Sequence, residues 1–407
     1  MNKQFFTGNR QNLFNLLEDK SIVILCAGKA PIKSADEDYK FTPNRNFYYL
    51  TGINEDRDIL VLIKDGSIKD ELLIINKYDE LRKKWVGKTY TADEATELSG
   101  VNNVDYFDAE DTVLSNIIKS LSGEFNVYID KNALVYDALL KNIEKKYFSN
   151  TETKDVFPLI RQLRMVKQQC EIDKIIKANQ LTKNGLELVM RNLKPGLIEN
   201  QVEAHFDYSI KCDGATGFAF GTIAAAGVNA CVLHYDQNNT KINDGDLVLF
   251  DLGAEWEYYK SDISRTFPAN GKYSDRQKEL YNMVLSAQQL VIDNAKPGLT
   301  TKDLNEMVIK HYEVELLRLG VIKDASEVKN YYYHGVSHHM GLDTHDVAVV
   351  QPLEAGNIIT VEPGIYIEEE KIGIRIEDDI LITNGKAINL SEGIIKSVEE
   401  IEKFMSK

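Results

Sequence analysis

The sequence predicts an α/β (α+β) protein of two domains: a mixed α/β domain over residues 1–155 and a second domain over residues 156–407 made of two related halves. Three observations predict this fold class. The chain has 407 residues, more than a single core usually holds. Short apolar runs alternate with helical patterns as far as the polar stretch Ser149–Thr153. Beyond that stretch, an order of two helices and two strands occurs twice.

The elements of the first domain follow from the spacing of its apolar residues. Short runs rich in β-branched residues predict four buried strands, at Ser21–Cys26, Ile59–Ile63, Glu71–Ile75 and Asn126–Ile129. Apolar residues at helical spacing predict helices near residues 9–18, 92–98, 109–122 and 133–147.

The second domain opens with a long amphipathic helix, Cys170–Met190, which Pro195 and Gly196 end. A second helix runs from Asn200 to about Lys211. The remaining elements are strands near 222–228 and 246–254, helices near 275–294 and 302–319, and strands near 357–368 and 372–383. The tetrapeptide Lys-Pro-Gly-Leu stands before a helix in each half, at 194–197 and at 296–299, which indicates that the halves are related.

Composition excludes several classes of partner. The formal charge of −15 and the pI near 5.1 argue against nucleic acid and against an anionic membrane. The sequence has no apolar run long enough for a membrane span, and residues 1–30 show no signal peptide, so a cytoplasmic protein is expected. The four cysteines have no C-x-x-C spacing and are expected to be free thiols.

Histidines are concentrated in one short segment. Four of the seven lie within residues 334–345, namely His334, His338, His339 and His345. Histidine binds metals and transfers protons near neutral pH. Two acidic pairs flank the segment in sequence, Asp251 with Asp262 and Glu362 with Glu377. Four carboxylates with one or more imidazoles are the components of a dinuclear metal site.

The first acidic pair lies on a predicted hairpin. If its strands turn about Trp256 and Glu257, Asp251 lies directly opposite Asp262, with Cβ atoms about 4.5–5.5 Å apart. Two carboxylates this close repel each other unless a cation lies between them. The alternative is that both aspartates are solvated residues at a strand edge. Because Asp251 follows four apolar residues, we favour the metal site.

The second acidic pair also lies on apolar strands. Strand alternation places Arg375, Glu377 and Asp379 on one face. Glu362 ends an apolar strand, where a buried unpaired carboxylate would cost about 2–7 kcal/mol or more. An oxygen-rich site with one histidine favours Mn²⁺, with Zn²⁺ and Co²⁺ as alternatives.

These residues stand in segments that resemble the pita-bread metallopeptidases, and among them the aminopeptidase P (Xaa-Pro aminopeptidase) family. The matching segments are Leu233–Tyr235, Asp251–Gly253, Ser261–Phe267, His334–His338, Gly341–Asp346, Val361–Tyr366 and Gly373–Asp378. Upstream, Asn46–Ile53 resembles the N-terminal domain of that family. The resemblance therefore covers nearly the whole chain and implies a C-terminal pita-bread catalytic domain.

The resemblance implies a site for two divalent metal ions, which share a bridging hydroxide. Asp251 would hold one ion, while His338 and Glu362 would complete the coordination of the other. Asp262 and Glu377 would bridge both ions.

The resemblance also implies roles for other side chains around the metals. His234 and His345 would line the substrate site and stabilise the carbonyl as charge develops. Glu362 would act in catalysis by carrying a proton to the leaving proline nitrogen. Substrate binding would involve His334, Tyr366 and Arg375, which would shape the pocket for a proline in the second position. The implied activity is removal of the N-terminal residue from such peptides.

Two features of the first domain concern the substrate end and the assembly. The family often has an Arg-Gln pair before its aromatic motif, whereas Thr42–Arg45 stands there in this chain. Trp85 resembles a tryptophan of the family that reaches the cleft of a neighbouring subunit, and ordinary packing is its alternative. The resemblance implies a homodimer or a homotetramer.

Two other functions remain open at this point. A prolidase uses the same ligands but cleaves only Xaa-Pro dipeptides. A non-catalytic peptide-binding protein on this fold, or a metal-free relative of the creatinase type, would be expected to lose ligands, and all five are present in the sequence.

Overall fold

The computed structural model describes residues 1–77, 79–107, 112–131 and 138–406. The chain forms two compact units, Met1–Arg164 and Met165–Lys407. Residues 156–164, which the sequence analysis assigned to the second domain, belong to the first unit. Among the described residues, no helix combines the length and the apolar character that crossing a membrane requires.

The first unit contains a six-stranded mixed sheet. The strands of the unit are β1 (Ser21–Cys26), β2 (Ile32–Ser34), β3 (Glu37–Asp38), β4 (Ile59–Asp65), β5 (Ile68–Ile75), β6 (Val104–Tyr106), β7 (Asn126–Ile129) and β8 (Thr153–Asp155). The sheet order is β6-β5-β4-β1-β7-β8; β4 is antiparallel to both of its neighbours, and the other pairs are parallel. All four predicted strands are present, and β1 and β7 have the predicted bounds.

The helices of the first unit are α1 (Lys3–Leu16), α2 (Arg45–Thr51), α3 (Glu80–Val86), α4 (Ala92–Ser99), α5 (Thr112–Ser120), α6 (Ala138–Tyr147) and α7 (Phe157–Met165). The first parts of two predicted helices, 109–111 and 133–137, lie outside the described residues. Helix α2 is only two turns long and was not predicted from the sequence. Its ends are nonetheless well marked, because Asn44 caps it and Gly52 closes it in the left-handed region, at φ 72°.

The second unit combines five helices with short strands in the described residues. The helices are α8 (Gln169–Asn192), α9 (Glu199–Cys212), α10 (Asp275–Asn294), α11 (Thr301–Arg318) and α12 (Val398–Met405). The strands are β9 (Gly217–Phe218), β10 (Ile223–Ala226), β11 (Leu247–Leu252), β12 (Ala254–Trp256), β13 (Tyr259–Lys260), β14 (Ile263–Pro268), β15 (Ile358–Val361), β16 (Gly364–Ile367), β17 (Ile372–Arg375), β18 (Asp378–Leu381) and β19 (Ile388–Asn389). They pair as β10-β11-β14, β13-β12-β9, β15-β18-β19 and β16-β17.

The repeated tetrapeptide makes the same contacts in both halves of the second unit. In the first half, the amide of Gly196 donates to the carbonyl of Ile242, and the amide of Ile242 donates back to the carbonyl of Leu197. In the second half, the amide of Gly298 donates to the carbonyl of Leu353, and the amide of Leu353 donates back to the carbonyl of Leu299. This equivalence agrees with the prediction of two related halves.

The long strands predicted in the second unit are each divided in two. Strand 357–368 becomes β15 and β16, and strand 372–383 becomes β17 and β18. The hairpin strands divide likewise, at Gly253 and at residues 261–262. A Cβ atom on Gly253 would lie 1.9 Å from the carbonyl oxygen of Ser261, so only glycine fits there. Three of the four divisions contain an acidic residue of the predicted site, and the fourth, at Gly253, lies two residues after Asp251.

The predicted register of the first acidic pair was wrong. Asp251 lies opposite Ser264 rather than Asp262. The hairpin turns at Glu257 and Tyr258, both in the left-handed region at φ 48° and 71°, so its centre is one residue later than predicted. Two-residue loops with two positive φ angles usually carry Asn or Gly, which this sequence lacks. The shift of two residues keeps both aspartates on the same face.

Candidate active site

One cavity of about 700 Å³ in the second unit gathers nearly all of the predicted site residues. Nine of the ten line it: Asp251, Asp262, Glu362, Glu377, His234, His334, His338, His345 and Arg375. The tenth, Tyr366, is buried behind them in a small apolar cluster with Ile223 and Leu249. Residues separated by more than a hundred positions in sequence therefore meet at a single site.

Three potential ligand groups lie closest together. Asp262, His338 and Glu377 each offer a ligand atom, and these atoms all lie within 4.8 Å of one another. Nε2 of His338 is 3.4 Å from Oδ2 of Asp262 and 3.6 Å from Oε1 of Glu362. Nδ1 of His338 donates to the carbonyl of His339, which leaves Nε2 as an acceptor facing the carboxylates.

The crowded carboxyl groups have perturbed acidities. Burial raises the pKa of Asp262 well above its usual range, and the charges of Glu377 and Asp251 raise it further. Burial and the charge of Asp251 raise the pKa of Glu377 to about 7. Burial also raises the pKa of Glu362, with a further contribution from Glu377. Such a group of acids must hold either protons or a cation.

Asp251 divides its two oxygens between different surroundings. Oδ2 accepts a hydrogen bond of 2.7 Å from Nη2 of Arg375. Oδ1 is buried and accepts no hydrogen bond from the described residues. A buried carboxylate oxygen without a hydrogen bond is unfavourable unless a cation meets it. Together with the acidic cluster, this oxygen fits a divalent metal.

Arg375 connects the two sides of the site. Its Nε donates to Oγ of Ser264 at 2.7 Å, and the Ser264 hydroxyl donates to Oε2 of Glu377, also at 2.7 Å. Its Nη1 donates to the Tyr366 hydroxyl at 3.0 Å. One buried guanidinium therefore orients Asp251 directly and Glu377 through a serine.

His334 extends this network. Its Nδ1 donates to the carbonyl of Gly335, so Nε2 accepts a hydrogen bond of 2.8 Å from the Tyr366 hydroxyl. Burial, with a smaller effect of the Arg375 charge, lowers the pKa of His334 to about 4. The ring is consequently neutral near pH 7.

The buried carboxylate of Asp379 binds the backbone of Asp262. Oδ2 of Asp379 accepts from the backbone amide of Asp262 at 3.2 Å and from Nδ2 of Asn179, on α8, at 2.9 Å. Arg375, Glu377 and Asp379 thus all face β14 and the residue before it, as strand alternation predicts.

The other two predicted site histidines, His234 and His345, lie on loops at the cavity wall. The ring of His345 meets the ring of His338 edge to face, with centroids 4.3 Å apart. Burial lowers the pKa of His345, as do the neighbouring His338 and His234. His234 is exposed at the wall. The other lining side chains include the apolar or aromatic residues Ala219, Phe220, Ile223, Leu233 and Tyr235.

Comparison with known protein families identifies both parts of the chain. The profile described as "Metallopeptidase family M24" matches residues 173–384, and "Aminopeptidase P, N-terminal domain" matches residues 6–128. The chain belongs to metallopeptidase family M24, in its aminopeptidase P group. The predicted resemblance is confirmed, as is the pita-bread fold of the second domain.

Individual relatives agree with this assignment to the aminopeptidase P group. The Xaa-Pro aminopeptidase of Escherichia coli is 32% identical, over 100% of this chain and 98% of its own length. An aminopeptidase P candidate from Bacillus anthracis has 45% identity and a TM-score of 0.95, covering 100% of this chain and 99% of its own. Aminopeptidase P from E. coli with the inhibitor Pro-Leu has 32% identity and a TM-score of 0.92, covering 100% and 98%. These relatives confirm the predicted class, a metal-dependent aminopeptidase.

Several side chains of this aminopeptidase P site were not found from the sequence. Ser264 binds both Arg375 and Glu377, and Asn179 binds Asp379 from a distant helix. Ser264 could have been recognised, because Asp262, Ser264 and Thr266 alternate in the sequence with larger side chains. Asn179 carried none, since it is one polar residue on an amphipathic helix.

Proposed function

We propose that this chain removes the N-terminal residue from peptides that have proline in the second position, using two divalent metal ions. The observation that carries the proposal is the single cavity that joins an acidic, histidine-containing cluster to two further histidines and an apolar wall. Family membership supports the reaction class. The E. coli relative was solved with Pro-Leu, a dipeptide that begins with proline, as the product of such a cleavage does.

In this proposal five side chains hold the metals. Asp251 would hold one ion, His338 and Glu362 would hold the other, and Asp262 and Glu377 would contribute to both. The short distances among Asp262, His338 and Glu377 support a shared position. Four carboxylates and one imidazole form a hard donor set, so we expect Mn²⁺, with Zn²⁺ and Co²⁺ as alternatives. When bound, two such ions would acidify a water molecule and polarise the peptide carbonyl.

The side chains of the protein then manage charge and protons. His234 and His345 face the cavity and would donate hydrogen bonds to the carbonyl oxygen as it gains negative charge. Glu362, whose pKa is raised by burial and by Glu377, would carry a proton to the leaving nitrogen of proline. That nitrogen bears no hydrogen in the substrate, so a proton donor is needed for its release.

Substrate binding is proposed for His334, Tyr366 and Arg375. The three side chains form one hydrogen-bonded chain, which fixes the shape of the cavity behind the metal ligands. The apolar wall suits the rigid proline ring, because burying its methylene groups contributes roughly 25 cal/mol per Å².

The proposal extends to assembly and location. Trp85 is 82% exposed, and a large exposed aromatic side chain is available for contact with a second copy, as a homodimer or homotetramer would require. The four cysteines are free thiols, which suits the reducing cytoplasm. Light scattering coupled to size exclusion would measure the assembly.

The deciding experiment compares Arg-Pro-Pro with Ala-Pro as substrates, after chelation and again after addition of Mn²⁺. Release of the first residue from the tripeptide, dependent on metal, is the expected result. Activity confined to the dipeptide would indicate a prolidase instead. Absence of turnover with both substrates, in protein shown to bind Mn²⁺, would contradict the proposed function.

A further inference from the structure

We propose that Glu199 is a positioning residue that fixes the loop carrying His234. The inference rests on the proposed function, in which His234 faces the reacting carbonyl. Glu199 is the first residue of α9 and is completely buried. It is not among the described residues that line the cavity, so any effect it has on the reaction must act through others.

The carboxylate of Glu199 accepts four hydrogen bonds. Oε1 accepts from the amide of Ala226 at 2.8 Å and from Nδ2 of Asn229 at 3.0 Å. Oε2 accepts from the Tyr235 hydroxyl and from the amide of Thr240, both at 2.8 Å. The four donors are spread from the end of β10 to residue 240, so one side chain holds both ends and the middle of the loop.

The start of α9 adds backbone contacts to the same loop. The amide of Glu199 donates to the carbonyl of Thr240, and the amide of Asn200 donates to the carbonyl of Asn238. These amides belong to the first turn of the helix and have no partner inside it. The positive end of the helix also favours a carboxylate at this position. Helix and loop are therefore joined by both backbone and side-chain bonds.

The loop needs such support because it has little regular structure of its own. After a short 3-10 helix at Gly227–Cys231, the described residues 232–240 form neither helix nor strand. His234 lies in this stretch and its side chain is exposed, so packing does not hold it. Its neighbour Tyr235 is held through the hydroxyl on Glu199. Removal of the carboxylate would release the backbone on either side of His234.

The effect of Glu199 on the loop can be distinguished from an effect on metal binding. None of the five proposed ligands lies within residues 227–240. We therefore expect Glu199→Ala to leave the affinity for Mn²⁺ unchanged in calorimetry and to lower kcat/KM for Arg-Pro-Pro by about 10- to 100-fold through misplacement of the imidazole. Glu199→Gln keeps one acceptor oxygen and is expected to give a smaller loss.

A double-mutant cycle with His234→Ala distinguishes positioning from general damage. If Glu199 acts through His234, Glu199→Ala has little further effect on kcat/KM in the His234→Ala background. Asp207→Asn is the matched control, because this carboxylate lies on the same helix and makes no hydrogen bond to the loop in the described structure. We expect the control to retain the parent activity. Equal losses from Glu199→Ala in both backgrounds would overturn the inference.

A second measurement does not depend on activity. With ¹³C-labelled histidine, each of the seven imidazoles contributes an NMR signal, and the signal lost in His234→Ala is that of His234. In Glu199→Ala that signal should move toward the position of a free histidine while the signals of His338 and His345 stay. An unchanged His234 signal would also overturn the inference. This result is readable even if Arg-Pro-Pro is not a substrate, so failure of the proposed function remains distinguishable.

Discussion

Arg375 and Asp251 form a partly buried ion pair in which Arg375 binds only one of the two carboxylate oxygens. The guanidinium reaches Oδ2 at 2.7 Å, while Oδ1 is buried and accepts no hydrogen bond from the described residues. Arginine presents its donors in a fixed plane, so it can orient a carboxylate as well as neutralise it. The pair therefore leaves Asp251 with one oxygen available to the cation that we propose for this site, and loss of the pair should affect metal binding and activity together.

Arg375→Lys tests this arrangement. Lysine keeps the charge but cannot bind Asp251, Ser264 and Tyr366 at the same time, because its ammonium is a single point on a flexible stem. We expect kcat for Arg-Pro-Pro to fall about 10- to 100-fold, or the Kd for Mn²⁺ to rise by a similar factor, as is typical when the groups that orient metal ligands are changed. Steady-state kinetics and calorimetry with Mn²⁺ measure the two effects.

Arg276→Lys is a suitable control for that variant. Arg276 pairs with Glu370 on the surface of the same unit, where both side chains are about a third exposed. An exposed ion pair contributes about 0–1 kcal/mol, so activity should stay near that of the parent. If Arg375→Lys and Arg276→Lys changed activity and metal affinity equally, the proposal that Arg375 orients both Asp251 and Glu377 would be wrong.

The fold was predictable where apolar periodicity was strong. The helix Asp275–Asn294 has the predicted bounds, because a capping serine and a regular apolar face mark it. The division of the long strands was not predictable, since it depends on contacts between distant segments. Glu362 and Glu377 lie at such divisions, where a strand leaves one partner and joins another. Apolar and polar residues continue to alternate across the division, so the sequence does not show where one strand ends and the next begins.

The candidate site was predictable to the level of residue types but less so in its geometry. A carboxylate that follows an apolar run, as Asp251 does, can be recognised as a candidate ligand, because burying it without a partner is costly. The predicted register of the hairpin was wrong because Glu257 and Tyr258 adopt positive φ angles, although neither is the Asn or Gly usual at such positions. The role of Ser264 as the partner opposite Asp251 followed only from the corrected register.

Binding of Mn²⁺ should release protons. Burial and mutual repulsion raise the pKa values of Asp262, Glu362 and Glu377 in the metal-free protein, that of Glu377 to about 7. A divalent ion must displace the protons that these groups hold, so its affinity should rise with pH through about 7, where Glu377 ionises. Calorimetry in buffers of different ionisation enthalpy counts the released protons. A heat of binding independent of the buffer at pH about 6 would contradict this expectation.

The pair Lys167 and Asp346 should stabilise the second unit. Its side chains are each 1% exposed, with Nζ 3.0 Å from Oδ2. Lys167→Met leaves the Asp346 carboxylate buried without the lysine charge, so we expect the free energy of unfolding to fall by about 3–5 kcal/mol. Chemical denaturation measures the change.

Two further variants define the origin of that loss. Lys167→Met combined with Asp346→Leu removes both charges and should recover much of the stability, since a buried ion pair is often replaceable by apolar side chains. Lys33→Met breaks an exposed pair with Glu37 and should change stability by about 1 kcal/mol or less. Equal effects of Lys167→Met and Lys33→Met would show that burial does not strengthen the dependence on the partner.

Glu171 should make stability depend on pH. It is 1% exposed, and burial raises its pKa from 4.5 to about 7. A carboxyl whose pKa is raised by folding stabilises the fold fully below the unfolded value, and that contribution is lost as the pH rises through about 7. Glu171→Gln lacks this titration, and the amide can still accept from one donor while the Tyr259 hydroxyl turns to accept.

The unfolding free energy of Glu171→Gln minus that of the parent should therefore increase between pH 4.5 and about 7 and then level off. At about 1.4 kcal/mol per pKa unit, the full change is on the order of 3 kcal/mol. Glu187→Gln, on the same helix but more than a third exposed, should give a difference that hardly varies with pH. A flat difference for Glu171→Gln as well would mean that Glu171 is charged throughout this range, with its ionised form stabilised by Lys167.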